Sequence, residues 1–236
     1  MPGVEDGVAL EEPTAYELDW LAILDDLRDS PAIEVLHEVR DDIDLMAEDS
    51  SFDDLAEWDG VELDAEVRRA YVRFSQLGSQ WRTVAPHLDL AGEFRLRPLP
   101  LVVHEDAPEF HSSLYSDEQR ELATGFRVID SSPFTGTGSF VAVRLRPGAG
   151  NPEIWFSDHR TNTLWEMDLD YVGYLETLRL TKGAFHWQHL FTEAPLDDEE
   201  FAGVAADLQA MLGFLPSVFP DREYAPLHAR LARRLG

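Results

Sequence analysis

Between residues 126 and 168 the chain passes through four short segments of strand-like composition, FRVIDSS, SFVAVRL, PEIWFSD and TLWEMD. They are separated by PFTGTG, RPGAGN and HRTN. Glycine, proline, asparagine and aspartate form turns because they supply positive φ, a fixed φ or a local side-chain bond to the backbone. A parallel neighbour needs a crossover of a dozen or more residues, so connections this short predict an antiparallel meander. Upstream, GEFRLRPLPLVV alternates Phe94 and Leu96 with Arg95 and Arg97, the period-two pattern of another strand. Such a sheet needs a cover for its apolar face.

Helical spacing on both sides supplies the cover. In TAYELDWLAILDDLRDS, Thr14 and Glu17 stand three apart as a capping box, and Tyr16, Leu18, Trp20, Leu21, Ile23, Leu24 and Leu27 form a broad apolar stripe. Ser30-Pro31 reads as the N-cap and first residue of a second helix, carrying Ile33, Leu36, Val39, Ile43 and Met46, with Asp41, Asp42 and Asp44 on its polar side. Residues 51–58 read as a short turn. Asp64 is predicted to cap a further helix bearing Val67, Ala70, Tyr71 and Phe74, with Gly78 as its left-handed stop. A short helix is predicted at SDEQRE. After the strands, DLDYVGYLETLRLTKG is a helix stopped at Gly183, followed by helices in LDDEEFAGVAADLQAMLG and EYAPLHARLARRLG. The prediction is one α+β domain over residues 1–236: N-terminal helices, an antiparallel sheet of short strands covered by helices, and C-terminal helices. Within it, 1–54 is an acidic helical part, 55–193 the core, and 194–236 a helical elaboration.

The charge is lopsided. The formal net charge is −27; residues 1–66 hold 23 acidic side chains against two arginines, a balance of −21, and the remaining 170 residues come to −6. Such a field repels nucleic acid and anionic membrane and attracts a basic protein, although acidic faces also serve solubility alone. The absence of cysteine excludes disulfides and thiolate metal sites. No basic, apolar leader opens the sequence and no apolar run approaches the roughly 20 residues of a membrane span, so a cytoplasmic location is the expectation.

Few motifs carry chemistry. KGAFHWQHLF places His186 and His189 three apart, but a zincin pair needs spacing of four and an adjacent glutamate. With Asp158 and His159 from SDHRTN they would make a metal-dependent hydrolase, one alternative reading. The other is a packed segment in which Phe185, Trp187 and Phe191 are buried and the histidines lie at the rim. GTGS at 136–139 leads into a strand, not a helix, and reads as a turn, not a phosphate cradle. No GxSxG nucleophile elbow occurs. No catalytic residue, cofactor or metal is predicted.

The order of several fragments resembles the SMI1/KNR4 (SUKH) superfamily. WDGVELDAEVRRAYVRFSQLGSQWR is similar to its opening helix and following tryptophan, GEFRLRPL to its first strand, GTGSF to its glycine turn, PEIWFSDHR to its next strand, DLDYVGYLETL to its late helix and KGAFHWQHLF to a run found in some members. The resemblance covers roughly residues 55–193. It departs at Leu63-Asp64, where the family has Leu-Pro, and at Leu77-Gly78, where it has Asn-Gly. The resemblance implies a non-enzyme: a bacterial immunity protein that binds and neutralises a cognate toxin, with a regulatory interaction scaffold of the same fold as the alternative. Combined with the charge, it makes a basic nuclease-type toxin the expected partner. The expected contact residues are Asp25, Asp26, Asp41, Asp42, Asp44, Asp53 and Asp54 on the polar side of the acidic helices, with Asp158 at the turn edge of the sheet.

Overall fold

A computed structural model describes residues 12–41, 60–70, 72–87, 89–110 and 114–236. Helix α1 (Ala15–Asp29) opens with the predicted capping box: the Glu17 amide donates to Thr14 Oγ1 at 3.2 Å and the Thr14 amide to the Glu17 carboxylate at 2.8 Å. Its buried face carries Trp20, Leu21, Ile23, Leu24 and Leu27.

The predicted second helix is instead strand β1 (Ile33–Arg40). Ser30 opens a turn, its Oγ accepting from the Ala32 amide at 3.3 Å and its carbonyl from Ile33 at 3.2 Å. Ile33 and Val35 face the core, whereas Leu36 is exposed and Val39, beyond a register shift, pairs with Gly78 on the opposite face. Ile33, Val35 and Val39 are all β-branched and favour a pleated surface. A register shift between Val35 and His37 interrupts the period of two, so the apolar spacing imitates a helix. Asp41 follows the strand. The predicted helix's Ile43, Met46, Asp42 and Asp44, the turn at 51–58 with Asp53 and Asp54, and Tyr71 lie outside the described residues.

Helix α2 (Ala65–Arg69) is a single turn and a half, and the Asp64 side chain makes no capping bond. Gly78 is not its stop but belongs to strand β2 (Leu77–Thr83), which pairs antiparallel with β1 and with β3 (Ala91–Leu96). Short helices α3 (Leu99–Val102) and α4 (Asp117–Ala123) follow. The meander is as predicted: β4 (Phe126–Ser131), β5 (Phe140–Arg144), β6 (Glu153–Asp158) and β7 (Thr163–Met167) form a second antiparallel sheet in sequential order. One face of it joins the main core through Val141, Ile154 and Phe156; the other packs a smaller cluster around Tyr115, Ala123 and Phe126.

The two sheets meet at a fork. At its C-terminal end β3 adjoins β4: the Arg97 amide donates to the Ile129 carbonyl and the Arg95 amide to Asp130 Oδ1, both at 2.8 Å. At its other end the same edge of β3 pairs with the 183–185 segment, through Glu93 N to Gly183 O at 2.9 Å and Phe185 N to Ala91 O at 3.0 Å. That segment follows helix α5 (Tyr171–Thr181), which ends in two left-handed residues, Lys182 (φ 53°) and Gly183 (φ 68°). A Cβ on Gly183 would come within 2.9 Å of the Glu93 carbonyl, so the close approach needs glycine. The Trp81 indole locks the loop by donating to the Lys182 carbonyl at 2.7 Å.

The HWQH segment is a 3-10 turn, Trp187–Phe191, and helices α6 (Ala202–Val218) and α7 (Ala225–Leu235) close the chain. The stretch Glu199–Val218 is, among the described residues, the one helical run long and apolar enough to cross a membrane. Leu208, Met211, Leu212 and Leu215 of that run are buried in the core. The basic face of α7 serves the fold: Arg230 donates to the Leu190 carbonyl and to Asp168, each at 2.7 Å.

Candidate functional site

Two concavities organise the polar chemistry. The first is a groove of about 640 Å³ between the C-terminal half of α1 and the end of α6. Its acidic side carries Asp25, Asp26 and Asp29, and its apolar side Pro31, Val218 and Phe219. Asp25 and Asp29 are one helical turn apart and so point the same way. Asp25 shares Arg28 with Glu38, whereas Asp29 has no ion pair among the described residues. Asp26 is committed elsewhere: its Oδ2 receives Lys182 Nζ at 2.8 Å and faces Arg222 at 3.4 Å. Lys182 is 1% exposed and its ammonium lies 4.2 Å from the centre of the Phe219 ring. Burial lowers its pKa, and Asp26 works against that shift. Asp26 thus pins α1 to the layer behind it and offers little charge to a partner.

The other expected contacts distribute differently. Asp41 stands beyond the far end of β1, and an eight-residue strand spans about 26 Å, so it lies well away from the groove. Asp158, expected on an exposed turn edge, has a side chain only 5% exposed. Its Oδ1 accepts the Arg160 amide at 2.9 Å and its Oδ2 the Thr161 hydroxyl at 3.1 Å. Burial alone would raise its pKa; His189, Thr161 and Arg160 outweigh burial and hold it at about 2.

The two histidine rings stack with centres 6.2 Å apart but differ in burial. His189 is fully buried, not at a rim, and its Nε2 stands 3.4 Å from Asp158 Oδ2 without a formed hydrogen bond. Its Nδ1 lies 3.4 Å from Thr192 Oγ1. The row Asp158, His189, Thr192 has the sequence of roles of a hydroxyl triad, but Thr192 is 2% exposed and its hydroxyl oxygen accepts the Ala194 amide. A substrate carbonyl has no route to it, so the row joins β6 to the 3-10 turn. His186 is left-handed (φ 70°) and partly exposed, 3.4 Å from Asp207. Burial and the neighbouring His189 lower its pKa. Among the described residues no group of three His, Cys, Asp or Glu is placed to hold a metal ion.

The second concavity, about 230 Å³, occupies the fork between the sheets. Glu93 from β3 and Asp130 from β4 lie deep in it, both 4% exposed, while Arg160 and His186 stand at the exposed side. The Glu93 carboxylate accepts the Phe134 amide at 2.6 Å and the Thr135 amide at 2.9 Å, which shapes the 133–139 turn into one wall. Asp130 accepts the Tyr174 hydroxyl at 2.7 Å. Burial pushes the pKa of Asp130 up to about 6, with the charge of Glu93 adding to it and the bonds from Tyr174 and Arg95 opposing it. The folded pKa is raised above the unfolded one, so this group's contribution is intact below about pH 4 and is lost as pH rises through 6. Asp130→Asn is therefore expected to gain about 2–3 kcal/mol relative to the parent between pH 4 and pH 8. Chemical denaturation at the two pH values measures it; an equal difference at both would remove Asp130 from the balance. Sequence reading passed over Asp130, Glu93 and Asp29.

No family model, no characterised protein and no solved structure matches the chain. The site is read from its geometry.

Proposed function

We propose that the chain is an SMI1/KNR4-type immunity protein that captures a basic protein toxin in the cytoplasm, one to one and without turnover. The observation that carries this is the groove between α1 and α6, where Asp25 and Asp29 rim a trough of Pro31, Val218 and Phe219. A trough with an apolar floor and a charged rim suits a protein partner: apolar contacts supply affinity at the centre, and rim charge supplies orientation and on-rate. The excess of acid in the first 66 residues of the sequence has the same sign as the groove's rim. A nuclease face is basic because it holds phosphates, so an acidic groove competes for it as a polyanion would.

The test uses the full chain and the product of the neighbouring gene. Replacing Asp25 and Asp29 together by lysine is expected to slow association by about tenfold or more while the melting temperature holds, because exposed ion pairs such as Asp25–Arg28 contribute little stability. Raising salt should slow the parent protein toward the same rate. Association indifferent to both changes would refute the groove as the contact.

A further inference from the structure

The fork pocket is polarised along its depth. Its inner part presents the carboxylates of Glu93 and Asp130; its outer part presents the Arg160 guanidinium, with the side chain 40% exposed, and the Gln188 amide. Between them the walls are apolar and aromatic, from Phe140, Val141, Phe156 and Phe185. The side chains of Ser131, Ser132 and Gln188 line the pocket and make no hydrogen bond among the described residues, so each retains free donor or acceptor capacity. Glu93 and Asp130 each keep unused acceptor positions beyond the bonds that hold them.

We propose that this pocket binds a small zwitterion end-on: a guanidinium or ammonium group inward on Glu93 and Asp130, a flat or aliphatic stem between the phenylalanine rings, and a carboxylate outward on Arg160. A cation between the two inner carboxylates relieves their mutual repulsion, and the ring faces favour it further. Arg160 suits the carboxylate because its planar fork can grip both oxygens. Its guanidinium stands 3.6 Å from Asp158 Oδ2 and 5.0 Å from the centre of the Phe201 ring, contacts that hold it at the mouth while leaving most of its five N–H donors for a ligand. A cavity of 230 Å³ is below the usual range for drug-sized ligands, and a basic amino acid is of the size it admits. The inference is independent of toxin capture: it concerns a different concavity and a different class of ligand.

Calorimetric titration of the full chain with three probes tests it: L-arginine, agmatine, which keeps the cation and lacks the carboxylate, and N-acetyl-L-arginine, which keeps both ends and lacks the amine. L-Arginine is expected to bind, and agmatine to bind about tenfold more weakly, the size of one lost charge-assisted hydrogen bond. Arg160→Gln should remove the difference between those two probes. Ser132→Phe, which fills the cavity from a partly exposed position, should abolish both without changing the melting temperature. N-acetyl-L-arginine matching L-arginine would identify a peptide C-terminus as the ligand; falling behind would identify the free amino acid. No heat at millimolar probe, or agmatine equal to L-arginine in the parent protein, overturns the proposal.

Discussion

Glu17→Ala is expected to destabilise the fold by about 3–5 kcal/mol, a drop in melting temperature on the order of 10 °C. Glu17 is 1% exposed, and its carboxylate receives the Arg73 backbone amide and Nε, each at 2.9 Å, and the Arg73 terminal nitrogen at 2.7 Å. The same carboxylate caps α1. One side chain thus ties the helix start to the segment leading into β2, and alanine would leave the Arg73 guanidinium, 14% exposed, beside an empty site. Burial by itself would raise the pKa of Glu17, but the bonds from Arg73 and Thr14 prevail and hold it at about 2. The folded pKa lies below the unfolded one, so this stabilisation is complete above about pH 5 and disappears as pH falls toward 2. Glu17→Gln should accordingly flatten the acid limb of the stability curve over that interval. A loss below about 1 kcal/mol for the alanine variant would mean that α1 is held by its apolar face alone.

Gly78→Ala is the second large effect, about 3 kcal/mol or more. Gly78 pairs with Arg95 across the β2–β3 ladder, and a Cβ there would come within 2.4 Å of the Phe94 carbonyl oxygen and 3.0 Å of the Arg95 Cα. Both obstacles are backbone, so relief requires the strands to part. A lower denaturation midpoint with an unchanged slope is the expected signature. A helix-stop glycine would behave otherwise, since the cost of alanine there comes from positive φ and not from a collision. Tolerance within about 1 kcal/mol would contradict the β2–β3 pairing.

These two positions mark what the sequence makes legible and what it hides. The capping box of α1 is local, four residues speaking to one another, and is readable without tertiary knowledge. The meander is readable for the same reason: each turn joins neighbours. Strand β1 is hidden by the irregularity between Val35 and His37, which turns an alternation into a helical-looking spacing. Strand β2 is hidden because LGSQWRT has a glycine, a serine and only two large apolar residues; it is held by partners on both sides. Asp29 is legible as the residue one turn beyond Asp25. The fork pocket is not, because Glu93, Asp130, Asp158 and His186 come from four separate parts of the chain and only the splaying of β3 from β4 assembles them. The one signal available is an acid, Asp130, directly following the apolar run of FRVIDSS.

Lys182 is the sole lysine in the sequence, and it is enclosed between Asp26 and Phe219. Reagents that acylate primary amines therefore find no side chain to modify while the native packing persists. Slow acquisition of a label at this one position would time the parting of α1 from the C-terminal layer, a built-in clock for breathing that needs no engineered probe.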